Sequence, residues 1–261
     1  MIDFLGIGAQ KAGTTWLFRH LSTHRQVRFP AGKEIHFWDR HLSRGVDVWL
    51  DLFPASPPGI RQGEITPAYA FLDVEIIAQI HKINPGLRLF YSIRNPIARA
   101  WSAAHHDRQK IELLSSEVSH QWYIDHFRSQ ASRKRGNFLA CLDNWQKVFP
   151  KDNIQLILFD DIEKSPKRVL GRLASHLGID PLHFTLQNDS ALRVAVLKGP
   201  DLDVPPELLE VLNSVYASEI KALGERLQRD LNSWLEWNGR RRTYPSAHFP
   251  NEAQSAFGSM R

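Results

Sequence analysis

The chain has 261 residues, 43% of them hydrophobic and 23% charged, with a net charge of +5. That length can bury a full core as one large domain or two small ones, and the composition is ordinary for a soluble globular protein. Cys141 is the only cysteine, which excludes an intrachain disulfide and suits a reducing compartment. No apolar run approaches the roughly 20 residues of a membrane span, and the N-terminus lacks the basic start and long apolar stretch of a signal peptide. The expectation is a cytoplasmic enzyme without stable membrane insertion. The positive charge suggests an anionic ligand only weakly, because most surplus lysines and arginines solvate a surface.

In chain order, "IDFLGIG" is a short continuous apolar run suited to a buried parallel strand, and "TTWLFRHLSTH" follows with helical spacing. "RQGEIT" predicts a short strand, and "DVEIIAQIHKINP" a helix ending near Pro85. "LRLFYSI" (87–93) is a second strong strand, and its helix "PIARAWSAAHHDRQK" starts with Asn95 as N-cap and Pro96 in the first turn. "NFLACLDNWQKVF" is amphipathic, and "NIQLILFD" (153–160) is a third strong strand. "SPKRVLGRLASHLGI" and "PPELLEVLNSVYASEIKALGERL" predict late helices. This alternation predicts an α/β fold: one P-loop-like domain over 1–238, with a central, mainly parallel sheet flanked by helices on both faces. From Gly239 periodicity is lost, and 239–261 reads as a loosely held tail.

Strand, Gly-containing loop and helix in "GIGAQKAGTTWL" (6–17) is a phosphate-holding layout. Gly8 and Gly13 fit the glycines of a Walker loop, but Thr14 and Thr15 occupy the Lys-Ser/Thr positions and the lysine, Lys11, has moved inside the loop. The N–H groups and hydroxyls of Lys11, Ala12, Gly13, Thr14 and Thr15 can cradle one anionic group, helped by the helix dipole. After the second strong strand comes Arg94, followed by a helix with Arg99 and Ser102 three residues apart on one face. Arg94 with Ser102 could grip a second phosphate. Together, at the carboxyl ends of parallel strands, the two motifs suggest a ligand with two separated anionic groups.

"QKAGTTWL" and "YSIRNPIARAWSAAHH" resemble the 5′- and 3′-phosphate motifs of sulfotransferases that use 3′-phosphoadenosine 5′-phosphosulfate (PAPS). "KEIHFWD" (33–39) is similar to a segment of the heparan sulfate sulfotransferases and their bacterial relatives, and "GEITPAY" (63–69) to another. "GNFLACLDNWQKVFPKDNIQLILFDDIEKSP", "KGPDLDVPPELLEVL" and "ERLQRDLNSW" also follow the family's layout, so the resemblance spans about residues 3–235. It implies PAPS as donor, 3′-phosphoadenosine 5′-phosphate (PAP) as product, and no metal requirement. A hydroxyl, with an amine second, on a small-molecule, lipid or glycan acceptor would receive the sulfuryl group.

This resolves the displaced lysine. A sulfuryl group carries less charge than a triphosphate, so by analogy with phosphoryl transfer a metal is less necessary. A cation is needed at the oxygen leaving with the 5′-phosphate, and Lys11 can supply it as preorganised electrostatic stabilisation. The acceptor needs a base within hydrogen-bond reach. Glu34 and His36, two apart, would project to one side if "KEIHFWD" is extended, and Asp39 could orient one of them. The resemblance implies Glu34 as base, with His36 and Asp39 assisting; either Glu34 or His36 is compatible with the residues alone. Lys33 could face the cofactor. Two departures stand out. Ile65 takes a position where heparan-type relatives often carry lysine, which argues against a heparan-like acceptor. Lys198 and Gly199 match a late cofactor-closing "Lys-Gly-Arg", but Pro200 replaces the arginine.

Trp16, Trp101, Trp145 and Cys141 read as packing residues. His105 and His106 lack metal-ligand partners at ligand spacing, and Arg128, Arg133, Lys134 and Arg135 read as a solvated face. The weakly periodic stretch 105–135 predicts an acceptor lid. Two further function classes remain. A P-loop-like nucleotide kinase or NTPase could use Asp160 or Asp161 after "IQLILF", but has Thr14 where its lysine belongs. A non-catalytic nucleotide-binding protein is the other; nucleic acid is disfavoured, because the basic residues are scattered.

Overall fold

Side-chain alternation along one strand divides the core of the computed structural model, in which residues 1–111, 118–192 and 203–239 are described. In β1 (Phe4–Gly8), Leu5 and Ile7 face one core and Phe4 the other. A strand with both faces buried belongs in the middle of a sheet with a layer on each side. The described residues form five strands, β1, β2 (Val27–Arg28), β3 (Arg61–Ile65), β4 (Arg88–Ile93) and β5 (Ile154–Leu158), in the order β2-β3-β1-β4-β5. Every pairing is parallel. The predicted α/β class is therefore correct.

One face is covered by α1 (Thr14–Ser22), α8 (Phe159–Lys164), α9 (Pro166–Leu177), α10 (Leu182–Thr185) and α11 (Asp189–Leu192). In α9, Val169, Leu170, Leu173, Ala174 and Leu177 form a buried stripe, and Gly178 (φ 68°) stops the helix in a left-handed turn. Full burial of a residue such as Leu170 or Leu173 stabilises the fold by roughly 1.5–3 kcal/mol. The other face carries α2 (Val46–Leu50), α3 (Val74–Ile83), α4 (Pro96–Lys110), α5 (His120–Arg128), α7 (Phe138–Gln146) and α12 (Pro206–Leu227). The short α6 (Gln130–Gly136) links α5 to α7. Asn95 caps α4 as predicted, its side chain accepting from the Ile97 N–H at 2.9 Å.

Close approach shapes the centre of the sheet. A Cβ on Gly6 would lie 2.5 Å from the Phe90 ring, so only glycine lets β1 and β4 pack there. The weakly periodic stretch 105–135 consists of the end of α4 followed by α5 and α6, with 112–117 outside the described residues. Its polarity masked the pattern, because only Tyr123 and Phe127 of α5 are buried. Trp16, Trp101, Trp145 and Cys141 are all buried. Among the described residues no helix is long and apolar enough to cross a membrane. Of the predicted tail 239–261, all but Gly239 lies outside the described residues.

Candidate active site

The chain runs from β1 to β2 and β3 on one side, then crosses to β4 and β5 on the other. The loops after β1 and β4 therefore diverge at the carboxyl edge, the place where open α/β sheets bind ligands. Both sequence motifs fall at this switch point. Lys11 takes a positive φ of 64°, and Gly13 (φ 86°) stands before α1, where a Cβ would lie 3.0 Å from the Phe159 ring. The first N–H groups of α1 have no carbonyl one turn earlier to bind, which makes this end a ready anion site. Thr14 is buried and Thr15 half-buried at the same end.

β4 fixes that loop from across the switch point. The Ser92 carbonyl accepts from the Ala9 N–H at 2.6 Å, and the Ser92 hydroxyl donates to the Ala12 carbonyl at 2.5 Å. One step on, the Arg94 guanidinium donates to the Lys11 carbonyl at 3.2 Å and stacks on Phe159 with 4.7 Å to the ring centroid. Ser102 is half-buried on α4. Arg99 does not join it. That side chain is fully buried and donates to the Ser132 carbonyl, the Ser132 hydroxyl and the Tyr216 hydroxyl at 3.0–3.2 Å, tying α4 to α6 and α12. Spacing of three along a helix put Arg99 and Ser102 together in sequence, but the packing of α12 takes the arginine into the core. Lys198 and Gly199 lie outside the described residues.

The second cluster sits beside β3. The condition for Glu34 and His36 to project to one side as on a strand, an extended "KEIHFWD", is not met: His36 has a φ of 58° and Phe37–His41 wind into a π-helical turn. The physical reason is hydrogen bonding. The N–H groups of Ile35 and Phe37 bind the Thr66 hydroxyl and the Tyr69 hydroxyl, at 3.1 and 3.0 Å, in place of a neighbouring strand. Three of the predicted side chains nevertheless meet. His36 Nε2 lies 3.1 Å from Glu34 Oε2, and His36 Nδ1 lies 2.9 Å from Asp39 Oδ2. Lys33 Nζ donates to Glu34 Oε1 at 2.8 Å, so Lys33 is directed at the glutamate. The Glu34 side chain is 33% exposed, open to a molecule arriving from solvent.

Several residues that matter to this geometry carried no assigned role in the sequence. Ser92 looks like one more strand residue, although a hydroxyl two positions before a strand-end arginine is a readable sign. Glu64, Thr66 and Tyr69 were visible only as part of a motif, and an acid inside an apolar strand was the available clue. His106 lies within electrostatic reach of Lys11: burial first, and the Lys11 charge second, lower its pKa below the ordinary value. Asp107 joins His106 to His126, at 3.4 and 3.0 Å. Among the described residues no group of three or more His, Cys, Asp or Glu could hold a metal ion. Asp160 and Asp161 are committed elsewhere: Asp160 accepts from Trp234 Nε1 at 2.9 Å, and Asp161 forms a bidentate pair with Arg229 at 2.7 and 2.9 Å. They anchor the stretch from Arg229 to Trp234 to the first turn of α8, directly after β5.

The chain is similar to known proteins in sequence and in fold. The chain is 30% identical over 186 residues to the heparan sulfate glucosamine 3-O-sulfotransferase 6 of Mus musculus, covering 66% of this chain and 51% of that protein. It is 26% identical over 225 residues to the bifunctional heparan sulfate N-deacetylase/N-sulfotransferase of Drosophila melanogaster, covering 75% of this chain and 21% of that one. The chain thus spans about half the length of the first of these relatives, and far less of the second. In fold it resembles the sulfotransferase of Alicyclobacillus acidocaldarius, with a TM-score of 0.68 at 23% identity, covering 90% of this chain and 98% of that one. A mouse sulfotransferase crystallised with PAP aligns at a TM-score of 0.56 and 15% identity, covering 87% and 88% of the two chains. Residues 2–194 match the sulfotransferase domain profile, a span that takes in every described strand and both loops of the switch point, so the chain belongs to the sulfotransferase domain family.

Proposed function

We propose that this protein transfers a sulfuryl group from PAPS to a hydroxyl of a small-molecule, lipid or glycan acceptor. The observation that carries the reading is the joining of the loops after β1 and β4 across the switch point, with Arg94 on the Lys11 carbonyl at 3.2 Å. The residues suit a nucleotide with two separated phosphates. The start of α1 with Lys11, Ala12, Gly13, Thr14 and Thr15 would hold the 5′ side, and Arg94 with Ser102 the 3′-phosphate. Lys198 and Gly199 are proposed to close over the nucleotide.

The donor supplies the sulfuryl group: its bond to the 5′-phosphate oxygen breaks as a bond from sulfur to the acceptor oxygen forms. Lys11 serves the leaving side in this reading, its ammonium neutralising the charge that grows on that oxygen. On the other side Glu34 takes the acceptor's proton. His36 holds the second carboxylate oxygen of Glu34 and is itself oriented by Asp39. The products are a sulfate ester, PAP and one proton.

The mouse relative's name places a glucosamine of heparan sulfate as its acceptor, and glycan alcohols are therefore the first acceptors to try here. The deciding experiment incubates the protein with isotopically labelled PAPS and a panel of glycan, lipid and small-molecule alcohols, without added metal. Mass spectrometry should find one labelled sulfuryl group on a panel member. Magnesium-dependent ATP turnover with no sulfuryl transfer would overturn the proposal in favour of a nucleotide hydrolase.

A further inference from the structure

Glu64 is fully buried, on the β3 face that packs against Trp49 and Tyr69. Burying a carboxylate is costly unless hydrogen bonds replace its water. Three donors converge on it: Trp49 Nε1 at 2.7 Å, the Thr66 hydroxyl at 2.8 Å and the Tyr69 hydroxyl at 3.1 Å. Burial still pushes its pKa up to about 7. Burial, and next the Glu64 charge, push the Tyr69 hydroxyl well above its ordinary value, so it remains a donor.

Those two hydroxyls have a second task. With its proton directed at Glu64, Thr66 Oγ1 turns lone pairs to the N–H groups of Ile35 and His36, at 3.1 and 3.5 Å. Tyr69 does the same for Phe37 and Trp38, at 3.0 and 3.4 Å. Four successive backbone N–H groups thus hang on two hydroxyls, and both hydroxyls are aimed by one carboxylate. The segment needs such support, because His36 holds a left-handed φ of 58° that an L-residue adopts only at a cost of roughly 1–2 kcal/mol. The backbone of Glu64 also pairs in register with Leu5 of β1, the strand that leads into the Lys11 loop.

We infer that Glu64 is a positioning residue which, through Thr66 and Tyr69, sets the 35–38 backbone and with it the approach of His36 to Glu34. The inference rests on the reading of Glu34 as the base. A merely structural carboxylate would plug a polar gap under Trp49, and its loss would lower stability without a selective effect on the chemical step.

The test compares Thr66→Val, Thr66→Ser, Tyr69→Phe and Glu64→Gln with Glu34→Gln in the full chain. Three readouts are taken: PAP affinity, the slow transfer of the sulfuryl group from PAPS to water, and the ring-nitrogen NMR resonances of His36. Thr66→Val and Tyr69→Phe should keep PAP affinity and donor KM, lower kcat by about 10- to 100-fold, and shift the His36 resonances. Thr66→Ser should restore both rate and resonances. Glu64→Gln, which keeps the size but cannot accept at both carboxyl positions, should shift the resonances in the same sense. A folded Thr66→Val protein with parental His36 resonances overturns the inference, as does one whose rate and PAP affinity fall together. If Glu34→Gln keeps the parental rate while Thr66→Val still moves His36, the base assignment fails and the positioning network stands.

Discussion

The two halves of the site are built differently. On the proposed donor side a single run of chain, Gly8 to Thr15, would supply its anion contacts from its own backbone, and β4 braces it through Ser92 and Arg94. On the acceptor side the loop 33–39 has no comparable shape of its own. Hydroxyls some thirty residues further along the chain impose it. Backbone cradles tolerate change in many side chains, whereas a loop hung on hydroxyls depends on each of them. Substitutions on the two sides should therefore separate nucleotide binding from proton transfer.

The largest effect falls on the acceptor side. Glu34→Gln should lower turnover by roughly 10²–10⁴ while PAP affinity stays at the parental value. Single-turnover transfer and calorimetry on the same variant check this, and a parental rate would move the base to His36. Lys11→Ala should lower turnover by about 10²–10³ and also weaken nucleotide binding, because the same ammonium serves both. Equal PAP affinity in that variant would place Lys11 away from the nucleotide and blur the division between the two sides.

A smaller effect separates the sides by pH. Glu64 is held at about 7 against 4.5 in its ordinary environment, so between these values the unfolded chain has lost a proton that the folded chain keeps. Its contribution to stability is complete below pH 4.5 and is lost as pH rises through 7. On α1, burial and then the Arg19 charge lower His20 from 6.5 to about 4, which has the opposite sign. That contribution is complete above pH 6.5 and is lost as pH falls through about 4. Denaturant titrations should show Glu64→Gln gaining on the parent, by on the order of 1–3 kcal/mol, as pH rises across its window. His20→Leu should instead gain on the parent as pH falls. Parallel pH curves for the parent and both variants would contradict these environments.

The same contrast explains what the sequence discloses. The strong strands, the helix starts and the donor loop follow from local patterns: apolar runs, Asn95-Pro96 before α4, and glycines flanking Lys11. The α/β class follows from their alternation. The shape of 33–39 was not legible, because an N–H bound by Thr66 or Tyr69 leaves no local periodicity. The burial of Arg99 was not legible for a related reason, since helical spacing places it beside Ser102 but says nothing of Tyr216 on α12, over a hundred residues away. Asp160 and Asp161 looked available to a metal until Trp234 and Arg229 supplied their partners. Long-range polar contacts are what sequence patterns omit, and on the acceptor side they set the geometry.

The central claim is that this site binds a nucleotide through two separate phosphates, and calorimetry with PAP and 5′-AMP tests it without knowledge of the acceptor. One added charge-assisted contact is worth about 1.5–3 kcal/mol, so PAP should bind roughly 10- to 100-fold more tightly than 5′-AMP. Ser102→Ala should narrow that ratio while leaving 5′-AMP affinity unchanged. Equal affinities of the parent protein for PAP and 5′-AMP would contradict the account.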